Sequence, residues 1–177
     1  MSVRHVVLVA HRWLGLSTAV VVSIVAATGA VLVWPTPSPS RRLADLLHGQ
    51  LAMGRVGAWI VFGSTVAAVV VVLCGLLLWW KRKVVVVRTG AGWHQALSDL
   101  HHSLGVFGFL FMFMLALTGI LMLAPRQDSG PLPVMVNLHT ARGYPYVIKL
   151  VYTLGTMAFV IQAVTGLVMW WKPGRQR

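Results

Sequence analysis

The 177-residue chain is 58% hydrophobic and only 10% charged, whereas a soluble domain usually carries about 25% charged residues. This composition excludes a water-soluble globule, because too little polar surface is present to cover one. The net charge of +12 does not indicate nucleic-acid binding, since the Lys and Arg residues cluster at the ends of apolar segments, where they meet lipid headgroups.

Four long apolar runs without Asp or Glu follow one another along the chain. About 20 helical residues cross a hydrocarbon core of ~30 Å, and a helix satisfies its own backbone groups in lipid. We therefore predict an all-α membrane protein with four transmembrane helices. The first run is longer than the apolar core of a signal peptide, which favours an uncleaved helix. The runs are Trp13–Trp34, Val56–Trp80, Leu104–Ala124 and Val147–Trp171.

The connections between the runs are short. The first, Pro35–Arg55, has a Pro/Ser cluster followed by an amphipathic stretch that ends at His48. The second contains Val84–Val87, a β-branched run that predicts either a short strand or an extended linker. The third, Arg126–Pro133, is rich in Gly and Pro. No connection has room for a folded domain, so residues 1–177 are predicted to form a single membrane domain.

The two halves of the chain repeat each other. The segment His11–Gly15 aligns with His101–Gly105 ninety positions later, and several pairs in the second helices align at an offset of ninety-one. We predict two tandem two-helix repeats, about 1–83 and 93–177, joined by an inner linker at 84–92. Corresponding helices then run in the same direction, so the repeat is parallel, with a pseudo-twofold axis along the membrane normal. The other aligned pairs include Thr28-Gly29 with Thr118-Gly119, Pro35 with Pro125, His48 with His139, Cys74-Gly75 with Thr165-Gly166, and Trp79-Trp80 with Trp170-Trp171.

Basic residues are unevenly divided between the two sides of the predicted bundle. Nine lie on the side of the termini and the 81–100 connection, against six on the other side. Positive residues favour the cytoplasmic side, so both termini are predicted to be cytoplasmic. Below, "inner" and "outer" refer to this predicted orientation.

Seven histidines, at positions 5, 11, 48, 94, 101, 102 and 139, lie near the ends of the apolar runs. One interpretation is that they are interfacial side chains without a ligand. The other is haem ligation, because two neutral imidazoles on opposite faces of a porphyrin make an electron-transfer centre. His11 and His101 belong to the inner side and His48 and His139 to the outer side, which predicts two haem sites.

Each outer histidine is separated from the end of the following apolar run by more residues than one straight transmembrane helix needs. His48 precedes Trp80 by 32 residues, a length of ~48 Å if all helical. We therefore expect His48 and His139 on short segments before the second and fourth transmembrane helices. Gly143 and Pro145 also predict an interruption there.

Other residues belong to the predicted inner site with open roles. Gly15 and Gly105 lie four positions after His11 and His101, hence on the same helix face, and are expected to let a flat ring approach the backbone. His102 is an alternative to His101 as the ligand, or a contact for a proton or quinone. His94 shares the face of His101 if the helix begins that early, and His5 has no assigned role. The single cysteine, Cys74, excludes a disulfide and a CxxCH haem attachment.

The motifs His11-Arg-Trp-Leu-Gly15, Leu100-His-His-Ser-Leu-Gly105, Leu138-His-Thr-Ala-Arg-Gly143 and Thr165-Gly-Leu-Val-Met-Trp-Trp-Lys172 resemble those of the PepSY-associated transmembrane family over nearly the whole chain. That family includes inner-membrane reductases of ferric siderophores. The resemblance implies b-type haem held by His11, His48, His101 and His139, a bacterial inner-membrane location, and electron flow toward the periplasm. The chain departs from larger members in lacking an extended periplasmic domain between helices, so siderophore binding is not expected from this chain alone.

The leading expectation is a dihaem electron carrier, or a subunit of a membrane haem reductase, that takes electrons from quinol or a redox partner protein. The main alternative is a cofactor-free accessory or assembly protein that packs against partner subunits. Transport ranks lower, because the predicted midplane holds no carboxylate. The sequence leaves the oligomeric state open, homo- or hetero-oligomeric.

Overall fold

The structure, a computed structural model of the chain, describes residues 2–35, 39–80, 88, 92–123 and 133–171. These residues contain six helices and no strand. Four helices are long and two are short, in the order long, short, long, which occurs twice. The helices are α1 (Val3–Leu32), α2 (Pro39–Gln50), α3 (Gly54–Trp80), α4 (Trp93–Leu123), α5 (Pro133–Thr140) and α6 (Tyr146–Trp171).

The four long helices are each long and apolar enough to cross a membrane. Large apolar side chains on the helix faces that point away from the bundle are exposed, among them Leu110 at 68% and Trp171 at 74%. Such a surface is stable only against lipid. The chain is therefore a multi-pass membrane protein, and the prediction of four transmembrane helices is confirmed.

Two helices begin well before the apolar runs that predicted them. α1 starts at Val3 rather than at Trp13, and α4 starts at Trp93 rather than near Leu104. Ser2 caps α1, since its hydroxyl accepts a hydrogen bond from the His5 backbone N–H. These early turns carry charged or polar residues such as Arg4, Gln95 and Asp99, which interrupt the apolar runs. As a result His11 and His101 lie inside continuous helices, a few turns from the helix ends.

The long helices form a four-sided bundle. α1 packs against α3 and α6, and α4 packs against the same two helices. α1 and α4 are therefore diagonal to each other across the bundle, as are α3 and α6. The buried side chains of the interior are mostly Ala and Thr, including Ala19, Ala26, Ala68 and Ala116. Small side chains let helix backbones approach closely.

The two short helices lie at the outer end of this bundle. α2 packs against α1 and α3, and α5 packs against α4. Both are followed by a turn with left-handed backbone: Leu51 and Ala52 have φ of 50° and 56°, and Ala141 has φ of 52°. These turns reverse the chain between a short helix and the next long one. The expectation that His48 and His139 lie on short segments before α3 and α6 is confirmed.

Aromatic side chains fix α5 and α6 at the outer end. The buried Tyr152 hydroxyl donates to the Leu138 carbonyl at 2.6 Å, which joins α6 to α5. The Trp34 indole N–H donates to Thr153 Oγ1 at 3.0 Å, and its ring packs on Tyr146. The first bond holds the segment that carries His139 against α6, and the Trp34 contacts join α6 to the end of α1.

Some predicted features lie outside the described residues. They include Val84–Val87, which was expected to be a strand or linker, and all of the third connection except Pro133. The tandem repeat and its boundaries at about 83 and 93 remain predictions.

Candidate functional site

The inner pair consists of His11 on α1 and His101 on α4. The centroids of the two imidazole rings are 6.3 Å apart, with an angle of 81° between the planes. Both side chains are partly buried. Because α1 and α4 are diagonal, the two rings meet across the middle of the bundle rather than at a groove between neighbours.

The outer pair consists of His48 on α2 and His139 on α5. Here the ring centroids are 5.9 Å apart, with an interplanar angle of 58°. The two histidines of the outer pair therefore lie on the short helices, whereas those of the inner pair lie on long helices. The His48 ring lies against Gly29, eighteen positions after His11 on α1, so the two pairs are separated by about 27 Å along the helix axis.

Each ring of the inner pair is held by a backbone carbonyl of a neighbouring helix. His11 Nδ1 lies 2.9 Å from the Val71 oxygen on α3, and His101 Nδ1 lies 3.1 Å from the Gln162 oxygen on α6. A carbonyl only accepts hydrogen bonds, so Nδ1 must carry the proton and donate it. The Nε2 lone pair of each ring is then left for another partner.

The outer pair repeats this arrangement. His48 Nδ1 lies 2.8 Å from the Val25 oxygen on α1, and His139 Nδ1 lies 3.1 Å from the Leu115 oxygen on α4. The same reasoning places the proton on Nδ1 and the lone pair on Nε2. Histidines that bind metals through Nε2 generally donate the other N–H to a carbonyl or carboxylate in this way.

A glycine four positions after each accepting carbonyl makes room for the ring. A Cβ added at any of these glycines would come 3.0–3.2 Å from Cε1 of the histidine, tighter than ordinary contact. Residues four apart lie on the same helix face. Because the glycine has no side chain, the histidine ring can reach both the carbonyl and the backbone around the glycine. We call these residues the cradle glycines. They are Gly75 for His11, Gly166 for His101, Gly29 for His48 and Gly119 for His139.

Threonine hydroxyls supply a second contact to three of the rings. Thr165 Oγ1 lies 3.1 Å from His101 Nδ1, Thr118 Oγ1 lies 3.0 Å from His139 Nδ1, and Thr28 Oγ1 lies 3.3 Å from His48 Nδ1. Each hydroxyl donates its own proton to a carbonyl three or four residues earlier in its helix. It therefore faces the imidazole as an acceptor.

The contacts fall on positions that the sequence repeat aligns. The acceptors Val25 and Leu115 are ninety positions apart, and Val71 and Gln162 are ninety-one apart. These are the offsets at which the histidines themselves align. The four imidazole sites thus share one local design: an accepting carbonyl, a residue three positions on, and the cradle glycine after it.

Burial lowers the pKa of both outer imidazoles. The pKa of His139 falls from its ordinary 6.5 to about 4, first because burial disfavours the charged form and second because His48 is close. The pKa of His48 is also lowered by burial, although the Val25 carbonyl and Asp45 oppose the shift. Both rings are therefore neutral near pH 7, the state in which Nε2 has a lone pair for a metal.

The spacing of each pair suits two imidazoles on one metal. Centroids would be about 6 Å apart, since a metal–imidazole bond is about 2.0 Å and a ring nitrogen lies about 1 Å from its centroid. The described residues contain no group of three or more His, Cys, Asp or Glu side chains close enough to share a metal. A pair of imidazoles without a third such side chain would instead suit the iron of a haem, which histidine commonly holds. The residues present fit a haem at each end.

Comparison with known protein families matches residues 35–133 to the PepSY-associated TM region, over more than half of the chain. The chain belongs to the PepSY-associated TM family. The matched segment of this PepSY-associated TM protein contains His48 and His101, one histidine from each pair, while His11 and His139 lie outside it. No curated protein and no solved structure was found to match.

Of the remaining histidines in this PepSY-associated TM protein, none lies in a facing pair. His102 is exposed, and its ring is 6.3 Å from that of His101, on the same helix. His94 lies within α4, as the early helix start requires, and packs on Trp93 with 3.7 Å between centroids. His5 is exposed in the first turn of α1. The structure therefore places His101 rather than His102 opposite His11.

Gly15 and Gly105 have different neighbours from those expected. A Cβ at Gly15 would lie 3.8 Å from Val71 Cγ1, and a Cβ at Gly105 would lie 3.0 Å from Gln162 Nε2. These two glycines therefore allow close packing of α1 on α3 and of α4 on α6. The Gln162 amide is also one of two groups in the described residues with a buried, unbonded side-chain atom, Oε1; the other is Trp79 Nε1.

The repeat in the sequence aligns the four cradle glycines in two pairs but does not predict which side chains they contact. The available signal was a Thr-Gly or Cys-Gly pair in every long helix, one for each of four histidines. The sequence does not predict which histidine ring packs on which glycine. That depends on the rotation of each helix in the bundle.

Proposed function

We propose that this protein is a b-type dihaem electron carrier, or the membrane subunit of a haem reductase, that moves electrons across the bilayer. The observation that supports it best is the pair of facing histidines at each end of the bundle, with centroids 6.3 Å and 5.9 Å apart. In all four rings the Nδ1 side is already bonded to a carbonyl, which leaves Nε2 for the iron.

His11 and His101 would hold the inner haem, and His48 and His139 the outer one. Each haem, when bound, supplies one-electron chemistry. The chain contributes two neutral ligands at each site, fixes their tautomer through backbone carbonyls, and surrounds them with apolar helices that exclude water. The same arrangement of accepting carbonyl and cradle glycine occurs at all four rings, which favours two cofactor sites over four unrelated interfacial histidines.

The proposed direction is from the cytoplasmic or quinol side to a periplasmic acceptor, with ferric iron or a ferric siderophore as the acceptor class. The distribution of basic residues, nine against six, supports cytoplasmic termini in a bacterial inner membrane. The exposed Arg42, Arg55 and Arg142 lie at the outer end, where they would attract an anionic acceptor or the lipid headgroups.

The first test is the absorbance spectrum of protein purified from haem-supplied cells. We expect a sharp Soret band, split α and β bands after dithionite reduction, and two b-type haems per chain by haem extraction. A folded, monodisperse but colourless preparation would reject the proposal and favour the cofactor-free accessory protein.

Ligand variants test the assignment of residues. His101→Ala and His139→Ala should each reduce the haem content from two to one, whereas the matched controls His102→Ala and His94→Ala should keep two. Loss of a ligand could also unfold the bundle, so His101→Met is the second variant. Methionine is itself a haem ligand that raises the reduction potential, so this variant should keep both haems and shift one potential upward. If His102→Ala loses a haem and His101→Ala does not, the assignment is wrong.

A further inference from the structure

The four imidazoles are not supported equally at Nδ1. His48, His101 and His139 each face a carbonyl and a threonine hydroxyl. Within the described part of the chain, His11 has a single acceptor, the Val71 carbonyl at 2.9 Å. The position that corresponds to the threonine is occupied by Cys74, directly before the cradle glycine Gly75.

The difference between threonine and cysteine here is one of acceptor strength. In α6 the Thr165 hydroxyl donates to the Gln162 carbonyl at 3.0 Å, so its oxygen lone pair is directed to the His101 N–H. A thiol sulfur at the same place is a weak acceptor. The outer pair therefore has four strong acceptors for two rings, and the inner pair has three.

Hydrogen bonding at Nδ1 changes how strongly Nε2 donates to a metal. An acceptor that pulls on the Nδ1 proton makes the ring more basic and so stabilises the more oxidised metal. A weaker acceptor has the opposite effect and favours the reduced state.

We propose that the residue before each cradle glycine is a positioning residue that sets how strongly its histidine donates to the iron. Cys74 then makes the inner haem easier to reduce than it would be with a threonine at this position. This inference rests on the proposed haem-binding function. Thr28, Thr118 and Thr165 have the same role at the other three rings. They touch neither the metal nor a substrate and act only through the imidazoles.

The test is a potentiometric titration of the dihaem protein with variants at Cys74. The His139→Ala background, which is expected to keep only the inner haem, isolates the relevant transition. Cys74→Thr and Cys74→Ser add a hydroxyl and should lower the reduction potential of the inner haem. The expected change in the reduction equilibrium constant is several-fold, less than the tenfold that corresponds to about 59 mV. Cys74→Ala, a matched control of similar size, should leave the potential unchanged.

The converse variant is Thr165→Cys, which should raise the inner potential, while Thr118→Cys should raise only the outer one. Equal potentials for Cys74→Thr, Cys74→Ala and the parent protein would overturn the inference. So would a shift of the same size in Cys74→Thr and Cys74→Ala, because that would reflect packing alone.

A second readout separates this inference from the proposed function. In haem-free protein with ¹⁵N-labelled histidine, nuclear magnetic resonance reports the proton on Nδ1. Cys74→Thr should shift the His11 Nδ1–H signal toward stronger hydrogen bonding, and Cys74→Ala should not. If no preparation binds haem, the proposed function fails, yet this measurement still decides whether the residue before the cradle glycine supports the ring.

Discussion

The inner and outer histidine pairs have a similar spacing between rings but lie on different supports. His11 and His101 are built into long helices, so their positions follow from the packing of the bundle itself. His48 and His139 are carried by short helices that are held by left-handed turns and a few hydrogen bonds. The comparison indicates that one local design tolerates very different surroundings, and that the outer pair should be the more easily disturbed.

The largest expected effect comes from filling a cradle. Gly166→Val and Gly119→Val would place new atoms against rings that already lie 3.1 Å and 3.0 Å from a Cβ at these positions. Each variant should lose one haem, the inner in Gly166→Val and the outer in Gly119→Val, as measured by haem content and reduced spectra. Gly63→Val is the matched control, because a Cβ there meets nothing within 4 Å. Loss of both haems from either variant would contradict the independence of the two sites.

The next effect is acid sensitivity of the outer pair. His139 binds a proton at a pKa of about 4 in the folded protein and near 6.5 when unfolded. Between these values the unfolded chain binds more protons, so stability that is fully present above pH 6.5 is lost as the pH falls toward 4. The loss is on the order of 3 kcal/mol. Thermal unfolding of haem-free protein in detergent should show it, and His139→Gln should flatten this part of the pH profile. An unchanged profile in that variant would assign the acid sensitivity to other groups.

A smaller effect is expected from the bond that ties α5 to α6. Tyr152→Phe removes the hydroxyl that donates to the Leu138 carbonyl and leaves that acceptor without its partner. The cost is about 1–2 kcal/mol, and it should reduce haem occupancy at the outer site only. Tyr146→Phe, in which an exposed tyrosine loses its hydroxyl, serves as control. Equal loss at both sites would mean that α5 is not the element affected.

The smallest effect concerns the turn between α2 and α3. Ala52 is exposed and has φ of 56°, a backbone conformation that suits glycine better. Ala52→Gly should therefore stabilise the folded protein by about 0.5–1 kcal/mol, because relief of left-handed strain exceeds the entropy that glycine loses. Thermal unfolding measures this, with Ala67→Gly in the middle of α3 as the control that should destabilise. A decrease in stability for Ala52→Gly would show that this turn is not strained.

Much of the fold follows from hydropathy. The four apolar runs predict α1, α3, α4 and α6 because lipid imposes a minimum length of apolar helix. The early starts of α1 and α4 were missed, since residues such as Arg4 and Gln95 favour neither lipid nor the core yet are good helix formers. The short helices were expected only as segments, because their helical state depends on packing at the bundle end.

The pairing of the four histidines could be predicted from the sequence, but the contacts of their rings could not. The repeat marks four histidines and their glycines, so pairing across the axis is a natural hypothesis from sequence. The contact of His11 with Gly75, rather than with a space beside Gly15, is set by how α1 and α3 are rotated against each other. Helix rotation arises from ridge-and-groove packing of many side chains, and no short motif specifies it.

The separation of the two pairs has an electrical consequence. About 27 Å of helix lies between them, nearly the full thickness of a ~30 Å hydrocarbon layer. A charge that passes from one pair to the other therefore crosses most of the transmembrane voltage, which is worth about 2.3 kcal/mol per 100 mV for each elementary charge. If the proposed electron transfer runs outward, a negative cell interior moves the electron down the electrical gradient, so the membrane potential would favour that step.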